Sequence, residues 1–188
     1  MSEKMDRRKK YTRHVLKESL IHLLNEKPIA DITVKEICAR ADINRSTFYT
    51  HYSDQYDLLG RIEEEITADM NTYLSQYDHE LEEESIQMTE KILSYVLENK
   101  LIFQTLLKGE AAPSFEKRMM NLTRGFMLDN LTSDKVISKQ ESEYVSTFVI
   151  SGVIHVIKDW IQNDMDQPPE EMAVMVNHFI LHGLSHFD

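Results

Sequence analysis

Apolar residues recur at helical spacing along most of this chain of 188 residues. Between Tyr11 and Lys27, leucines fall at i, i+4, i+7 and i+8, the stripe of an amphipathic helix, and Pro28 ends the pattern. Similar stripes predict a long helix after Ser53-Asp54 and helices over 86–97, 101–107, from Pro113, 138–162 and 169–184, with a surface turn at 78–85. With 5 Gly, 4 Pro and few runs of period two, the chain is predicted to have an all-α fold.

Two short helices are predicted between the first amphipathic helix and the long one. Thr33 and Glu36 form a capping box, in which the hydroxyl and the carboxylate satisfy free backbone N–H groups, and the helix that follows runs to about Ala41. Residues 42–44 then interrupt the apolar pattern with types that tolerate turns, and Asn44 can cap a second helix over about 45–52. A helix, a tight turn and a second helix together predict a helix-turn-helix.

The second short helix presents polar groups on one face. Helical spacing places Ser46, Tyr49 and Thr50 together and Phe48 nearly opposite, so Phe48 is predicted to point inward. Such a surface fits a major groove, where Arg45 would contact a guanine edge or a phosphate and the hydroxyls would contact phosphates. Tyr52 can equally be a packing residue. The candidate DNA-binding residues are Thr33, Arg45, Ser46, Thr47, Tyr49, Thr50, His51, Tyr52 and, from a basic arm at 7–10, Lys10.

Charge is distributed unevenly along the chain, whose net charge is -11. Residues 1–52 hold 11 Lys and Arg against 7 Asp and Glu, which gives +4 and leaves 10 against 25, or -15, for residues 53–188. The N-terminal quarter is therefore the part predicted to meet a polyanion. The acidic surplus after residue 53 is mostly solvated surface, although it can also favour a cationic effector.

The stretch ITVKEICARADINRSTFYTHYSDQYDLL, from Ile32 to Leu59, resembles the DNA-binding signature of the TetR family of bacterial transcriptional regulators. The resemblance implies an N-terminal three-helix DNA-binding domain at 1–53, a C-terminal ligand-binding and dimerisation domain at 54–188, and a homodimer held by the last two helices. Two positions depart from the family's pattern. Asp42 stands where Gly is usual in the turn, and Gln55 stands where a Lys is usual at the start of the fourth helix, which predicts the loss of a phosphate contact.

Two sets of residues are candidates for the roles that this resemblance implies in the C-terminal domain. The candidate effector-pocket residues are Tyr95, Phe103, Leu106, Met119, Phe126 and Trp160. Each of them fits a core position at least as well, because Met and aromatic stripes at helical spacing usually pack in the interior. The candidate dimer-interface residues, on the two most apolar helices, are Phe148, Gly152, Val153, Val156, Val176, Phe179 and Ile180.

Histidines and the single cysteine offer little further chemistry. His178, His182 and His186 recur at i, i+4 and i+8, a spacing that can bind a transition metal, but an exposed or dimer-edge histidine face is favoured and no metal is predicted. His155 is interpreted as a core or interface residue rather than a ligand. Cys38 alone forms no internal disulfide. No cofactor motif is present, so no cofactor is predicted.

The leading hypothesis is a cytoplasmic homodimeric repressor that binds a palindromic operator and is released by an unknown small molecule. A second hypothesis is a co-regulator whose C-terminal domain is controlled by a protein partner, since residues 147–173 are similar to the end of TetR-type regulators of dihydroxyacetone kinase operons. An enzyme is disfavoured, because no Ser/His/Asp order, phosphate loop or paired-carboxylate motif has supporting context. No apolar run approaches the roughly 20 residues of a membrane span, so none is predicted.

Overall fold

The computed structural model describes the backbone of residues 2–76, 82–108, 112–133 and 138–184, with side chains except those of 2–6, 126–133, 139 and 181–184. No β-strand occurs in these ranges, and the predicted all-α fold is confirmed. A short 3-10 helix covers Ile29–Asp31. The α-helices are α1 (Ser2–Leu24), α2 (Val34–Ala41), α3 (Arg45–Phe48), α4 (Gln55–Leu74), α5 (Glu82–Glu98), α6 (Lys100–Leu106), α7 (Ala112–Ser133), α8 (Lys139–Gln162) and α9 (Pro169–Leu184).

The chain forms two compact units. The first comprises Met1–Ile66 with Lys108–Glu110, and the second comprises Thr67–Leu107 with Ala111–Asp188. The division falls inside α4, whereas the sequence predicts a functional boundary after residue 53. That functional boundary stays a prediction.

The core of the first unit is built by α1 packing on α2 and α2 on α3. Leu16 and Leu20 of α1, Ile37 of α2 and Phe48 of α3 are fully buried. The predicted start of the first helix at Tyr11 is wrong, because α1 begins at Ser2 and includes residues 7–10 of the predicted basic arm. No Gly or Pro interrupts residues 2–27, and Arg and Lys have good helix propensity, so the backbone continues as a helix.

The core of the second unit joins α5 to α9 and α8 to both α6 and α7. Phe103, Leu106, Phe115 and Ile150 are among its buried side chains. The α5–α9 contact includes a buried polar link, in which the amide nitrogen of Asn177 donates to the Thr89 hydroxyl at 2.8 Å.

The start of α8 matches its sequence signal. Ser138 and Glu141 form a reciprocal capping box, which confirms the predicted helix start. The surface turn predicted for 78–85 is wrong for 82–85, because α5 already begins at Glu82, and 78–81 lie outside the described residues. Three glutamates fall in the first turn of α5, where the helix dipole favours negative charge and so extends the helix toward its N-terminus.

One helix among the described residues, Gln140–Gln162, is long and apolar enough to cross a membrane by length and composition. Sequence analysis predicts no membrane span. A single helix of this kind is weak evidence for a membrane span, and 22% of its most apolar window is buried within the chain.

Candidate nucleic-acid interface and the surfaces of the second unit

A reciprocal capping box sets the start of α2. The Glu36 N–H donates to the Thr33 hydroxyl at 3.3 Å, and the Thr33 N–H donates back to the Glu36 carboxylate at 2.9 Å. That carboxylate also accepts from Lys27 Nζ at 2.6 Å. The hydrogen bond from Lys27, followed by those from Thr33, lowers the pKa of Glu36 from 4.5 to about 2. Thr33 is exposed but is already committed to the cap.

The turn between α2 and α3 depends on two polar residues. Asp42 adopts the left-handed conformation, with φ 54° and ψ 41°. At this position the family pattern usually has Gly, and Asp adopts this conformation more readily than most other residues. Asn44 then caps α3, because its side-chain oxygen accepts the N–H of Ser46 at 3.3 Å. Both predictions about the turn are confirmed.

The helix predicted to reach Tyr52 ends at Phe48. The turn that follows winds more tightly, since the N–H of Thr50 donates to Thr47 O at 3.2 Å and that of His51 donates to Phe48 O at 2.9 Å. The Thr50 hydroxyl also donates to Thr47 O at 2.6 Å, and this competition for the carbonyl favours the end of the helix.

The two faces of α3 and its last turn differ as the spacing predicts. Phe48 is fully buried, which confirms its inward orientation. Tyr49 is 58% exposed, and the side chains of Arg45, Ser46 and Thr50 are exposed as well. The outer face therefore presents a guanidinium, two hydroxyls and a phenol to solvent.

The remaining residues of the predicted set occupy different environments. Tyr52 is only 5% exposed, and its ring lies 5.6 Å from that of Phe48, so it belongs to the core of the first unit. Thr47 and His51 are half-buried, and Lys10 is exposed on α1. The structure therefore groups Arg45, Ser46, Tyr49 and Thr50 at the surface and separates Tyr52 from them.

One basic residue of α1, Arg13, was missed by sequence reasoning, and it lies beside Lys9 of the predicted basic arm. Burial lowers the pKa of His51, and the nearby positive charges of Arg13 and Lys9 lower that pKa further. Lys9 and Arg13 are exposed and one helical turn apart, so they share a face of α1. Their spacing would have indicated this face if the helix had been predicted to begin before Tyr11.

The candidate effector-pocket residues lie in the interior of the second unit. Phe103, Leu106, Met119 and Trp160 are buried, Tyr95 is half-buried, and the side chain of Phe126 lies outside the described residues. The Phe103 ring lies 6.0 Å from the ring of Tyr95 and 6.0 Å from the ring of Phe115, which was not among the candidate pocket residues. Trp160 has a separate role, because its indole N–H donates to Gln167 O at 2.8 Å and anchors the end of α8.

Tyr95 connects this aromatic group to α4. Its hydroxyl donates to the Asp69 carboxylate at 2.7 Å, and its ring lies 5.5 Å from the ring of Tyr73. Burial and the bond to Asp69 raise the pKa of Tyr95, so the phenol stays a donor at neutral pH.

The candidate dimer residues divide between surface and interior. Phe148 is 81% exposed on α8 and Phe179 is 74% exposed on α9. Gly152 is exposed, and a Cβ added to it would meet nothing within 4 Å. Val176 is buried within the chain, while the half-buried residues are Val153, Val156 and Ile180. A surface depression on α9 lies beside Phe179 and is also lined by Glu170, Glu171, Val174, Met175 and His178.

The histidines of the second unit do not form a metal site among the described side chains. His178 is exposed on α9, whereas His182 and His186 lie outside the described side chains. Across the part of the chain with described side chains, no group of three His, Cys, Asp or Glu residues could hold a metal ion. His155 is exposed, with Nδ1 2.7 Å from Ser151 O within α8.

Comparisons with known proteins match both parts of the chain. The family model described as "Bacterial regulatory proteins, tetR family" matches residues 18–62, and that described as "Transcriptional regulator C-terminal region" matches 83–182, more than half of the chain. The uncharacterized HTH-type transcriptional regulator YxbF of Bacillus subtilis (strain 168) is 27% identical over 175 residues, 91% of this chain and 45% of YxbF. The chain thus spans about half the length of this curated relative.

Solved structures share the fold at low identity. The dihydroxyacetone kinase operon activator DhaS is 18% identical with a TM-score of 0.64, over 94% of this chain and 98% of DhaS. FadR from Bacillus subtilis, solved in complex with stearoyl-CoA, is 14% identical with a TM-score of 0.65, over 89% of this chain and 96% of FadR.

The matched sequence models and the relative all describe regulators, which confirms the expectation that the chain is not an enzyme. The two family models occur in the order that the helix-turn-helix and the helical second unit require. The chain belongs to the TetR family of bacterial transcriptional regulators.

Proposed function

We propose that the protein is a cytoplasmic homodimeric repressor that binds a palindromic DNA operator and is released by a small-molecule effector. The observation that supports this proposal best is the outer face of α3 and its last turn, where Arg45, Ser46, Tyr49 and Thr50 are exposed around a buried Phe48. These side chains match the groups that DNA offers in and beside the major groove.

Each side chain of this face has a chemical role. Arg45 can donate two hydrogen bonds to the O6 and N7 atoms of guanine, while Ser46 is small enough for close approach. The hydroxyls of Tyr49 and Thr50 can donate to phosphate oxygens and hold the helix in register. Lys9, Lys10 and Arg13 add positive charge on α1 that suits further phosphates.

Dimerisation through α8 and α9 would place two such faces on one duplex. The exposed apolar side chains on these helices, Phe148 and Phe179 among them, give the apolar surface that a stable partner would cover. A two-fold axis there makes the interface self-complementary and pairs two half-sites about 34 Å apart, one turn of DNA.

Effector release is proposed to act through α4. Tyr95 holds Asp69 of α4 by a hydrogen bond at 2.7 Å, beside the Phe103 ring. A ligand inserted next to Tyr95 would compete for that hydrogen bond and favour another position of α4. Helix α4 begins at Gln55, shortly after α3 and its last turn. The match between the two recognition helices and the operator would then be lost.

Control by a protein partner is the second candidate. The fold likeness to DhaS agrees with the sequence similarity of residues 147–173. A cavity too small for a ligand, together with an apolar patch left exposed after dimerisation, would favour this candidate over a small-molecule effector.

Selection of DNA from a random library by the purified protein tests the proposed function. We expect a palindromic sequence whose affinity falls steeply with salt, and a loss of about 1–3 kcal/mol of binding free energy in Arg45→Ala and in Tyr49→Ala. Lys91→Ala, which removes an exposed positive charge from α5, is the control and should bind as the wild type does. Enrichment of no sequence, or equal loss in Lys91→Ala, would contradict the proposal.

A further inference from the structure

A guanidinium lies at the seam between α7 and α8 of the second unit. Arg124 on α7 donates from Nη2 to the Thr147 hydroxyl on α8 at 2.7 Å. The Thr147 hydroxyl donates in turn to Glu143 O at 2.8 Å, so its lone pairs are directed toward the guanidinium. The acceptor that the Arg124 guanidinium contacts in this seam is therefore a neutral hydroxyl.

The positive charge of Arg124 has no acidic partner among the described side chains. Its Nε is buried and has no hydrogen-bond acceptor, and no carboxylate in the part of the chain with described side chains forms an ion pair with it. Glu116, two helical turns earlier on α7, already pairs with Lys158 at 2.6 Å. A partly buried guanidinium without an anion is unfavourable, and buried donors without acceptors are rare in native proteins.

The local charge of α7 adds to this imbalance. From Ala112 to Gly125, the sequence holds three basic residues, Lys117, Arg118 and Arg124, against one acidic residue, Glu116. This is opposite to the net charge of -11 for the whole chain. Residues 112–125 are thus a locally basic segment in an acidic second unit.

We propose that Arg124 and Thr147 bind an oxyanion, the carboxylate or phosphate group of a small organic effector. The planar fork of a guanidinium matches the two oxygens of such a group, and an oxyanion in the seam would supply the acceptor that the Nε–H lacks. This inference rests on the proposed function only in that the second unit binds the effector. It narrows the effector to molecules with an acidic group.

The test is thermal unfolding of the full-length protein with hexanoate or inorganic phosphate, at constant ionic strength, against hexan-1-ol as the uncharged probe. Hexanoate or phosphate should raise the Tm of the wild type by about 2 °C or more, since a ligand that binds only the native state stabilises it. Arg124→Gln should lose most of this rise, and Arg124→Lys, which keeps the charge without the fork, should lose part of it. Lys117→Gln removes an exposed charge from the same helix and should respond fully.

Three results would overturn the proposal. The first is that neither anion raises the Tm of the wild type, and the second is that Arg124→Gln responds to the anions as the wild type does. The third is that Arg124→Gln dissociates the dimer in sedimentation, which would mean that a carboxylate of a second copy supplies the counter-charge. Should Arg124→Gln fail to fold, an undiminished rise in Arg124→Lys would overturn the role of the fork. DNA binding is measured separately without anions, so a wild type that is stabilised by anions but binds no DNA would contradict the proposed function alone.

Discussion

Two exposed surfaces of the molecule differ in chemistry. The face of α3 presents Arg45, Ser46 and Tyr49, whereas α8 and α9 present Phe148 and Phe179. Polar groups lose little when they return to water, so the first surface suits a partner that binds and leaves. Aromatic side chains are unfavourable in water, so the second suits a partner that stays. Exposure indicates that a surface is available, and its chemistry indicates the kind of partner.

The two surfaces are also supported in different ways. The α3 face depends on a single anchor, Phe48, together with the caps of Thr33 and Asn44. The exposed ridge of α8 is the back of a helix whose opposite side buries Ser142, Ser146 and Ile150. Loss of one anchor should therefore damage the candidate DNA-binding face more than loss of one residue damages α8.

The largest expected effect is that of Phe48→Ala. Removal of this buried ring leaves a cavity in a small core and should lower the free energy of unfolding of the first unit by about 3–5 kcal/mol, with loss of DNA binding. Urea unfolding followed by circular dichroism measures the change. Tyr49→Ala is the matched control and should keep stability within about 0.5 kcal/mol while DNA binding falls. Equal destabilisation by both substitutions would mean that the two faces of α3 are assigned incorrectly.

Phe148→Asp tests the second surface. A charge at the centre of an apolar interface should weaken dimerisation by about 2–4 kcal/mol and leave the helical content unchanged. Sedimentation at several concentrations measures the monomer fraction. Leu97→Asp, at another exposed apolar position of the second unit, is the control and should leave the dimer intact. A dimer that persists in Phe148→Asp would place the interface elsewhere.

Gln55→Lys restores a positive charge at the start of α4 and should strengthen DNA binding by about 1 kcal/mol. The slope of log affinity against log salt should steepen by about 0.9, the value for one more phosphate contact. Affinities at several salt concentrations measure both quantities. An unchanged slope would mean that position 55 does not reach a phosphate in this protein.

Glu36 should give a small dependence of stability on pH. Lys27 and Thr33 lower its pKa from 4.5 to about 2, so the ionised carboxylate stabilises the fold above pH 4.5, and this contribution is lost as the pH falls toward 2. In acid titrations of unfolding, Glu36→Gln should lose less stability over this interval than the wild type. Identical acid profiles would show that the lowered pKa has no effect on stability.

Local sequence signals predicted a large part of the fold and of the candidate DNA-binding face. Both capping boxes, the inward Phe48 and the left-handed Asp42 follow from residue types within a few positions of each other. Such features depend on backbone hydrogen bonds and on the 3.6-residue period, which neighbouring residues determine. Helix ends were predicted less well. Helix α1 begins earlier than predicted and α3 ends earlier, because helix propensity and competing local hydrogen bonds are closely balanced at these ends.

For Tyr52 and for the apolar residues of α9, the tertiary structure alone decided which side chains are covered. Tyr49 and Tyr52 have the same side chain three residues apart, yet packing buries only Tyr52. On α9, Val176 and Phe179 are both apolar and also three residues apart, yet packing buries only Val176. The pairing of Arg124 with Thr147, 23 positions apart, likewise required the arrangement of α7 against α8. The sequence by itself determined the helices, the turn and the chemistry of the candidate DNA-binding face, because these depend on local interactions. Burial, and the absence of a counter-charge for Arg124 among the described side chains, depend on which distant residues meet, and only the folded chain decides that.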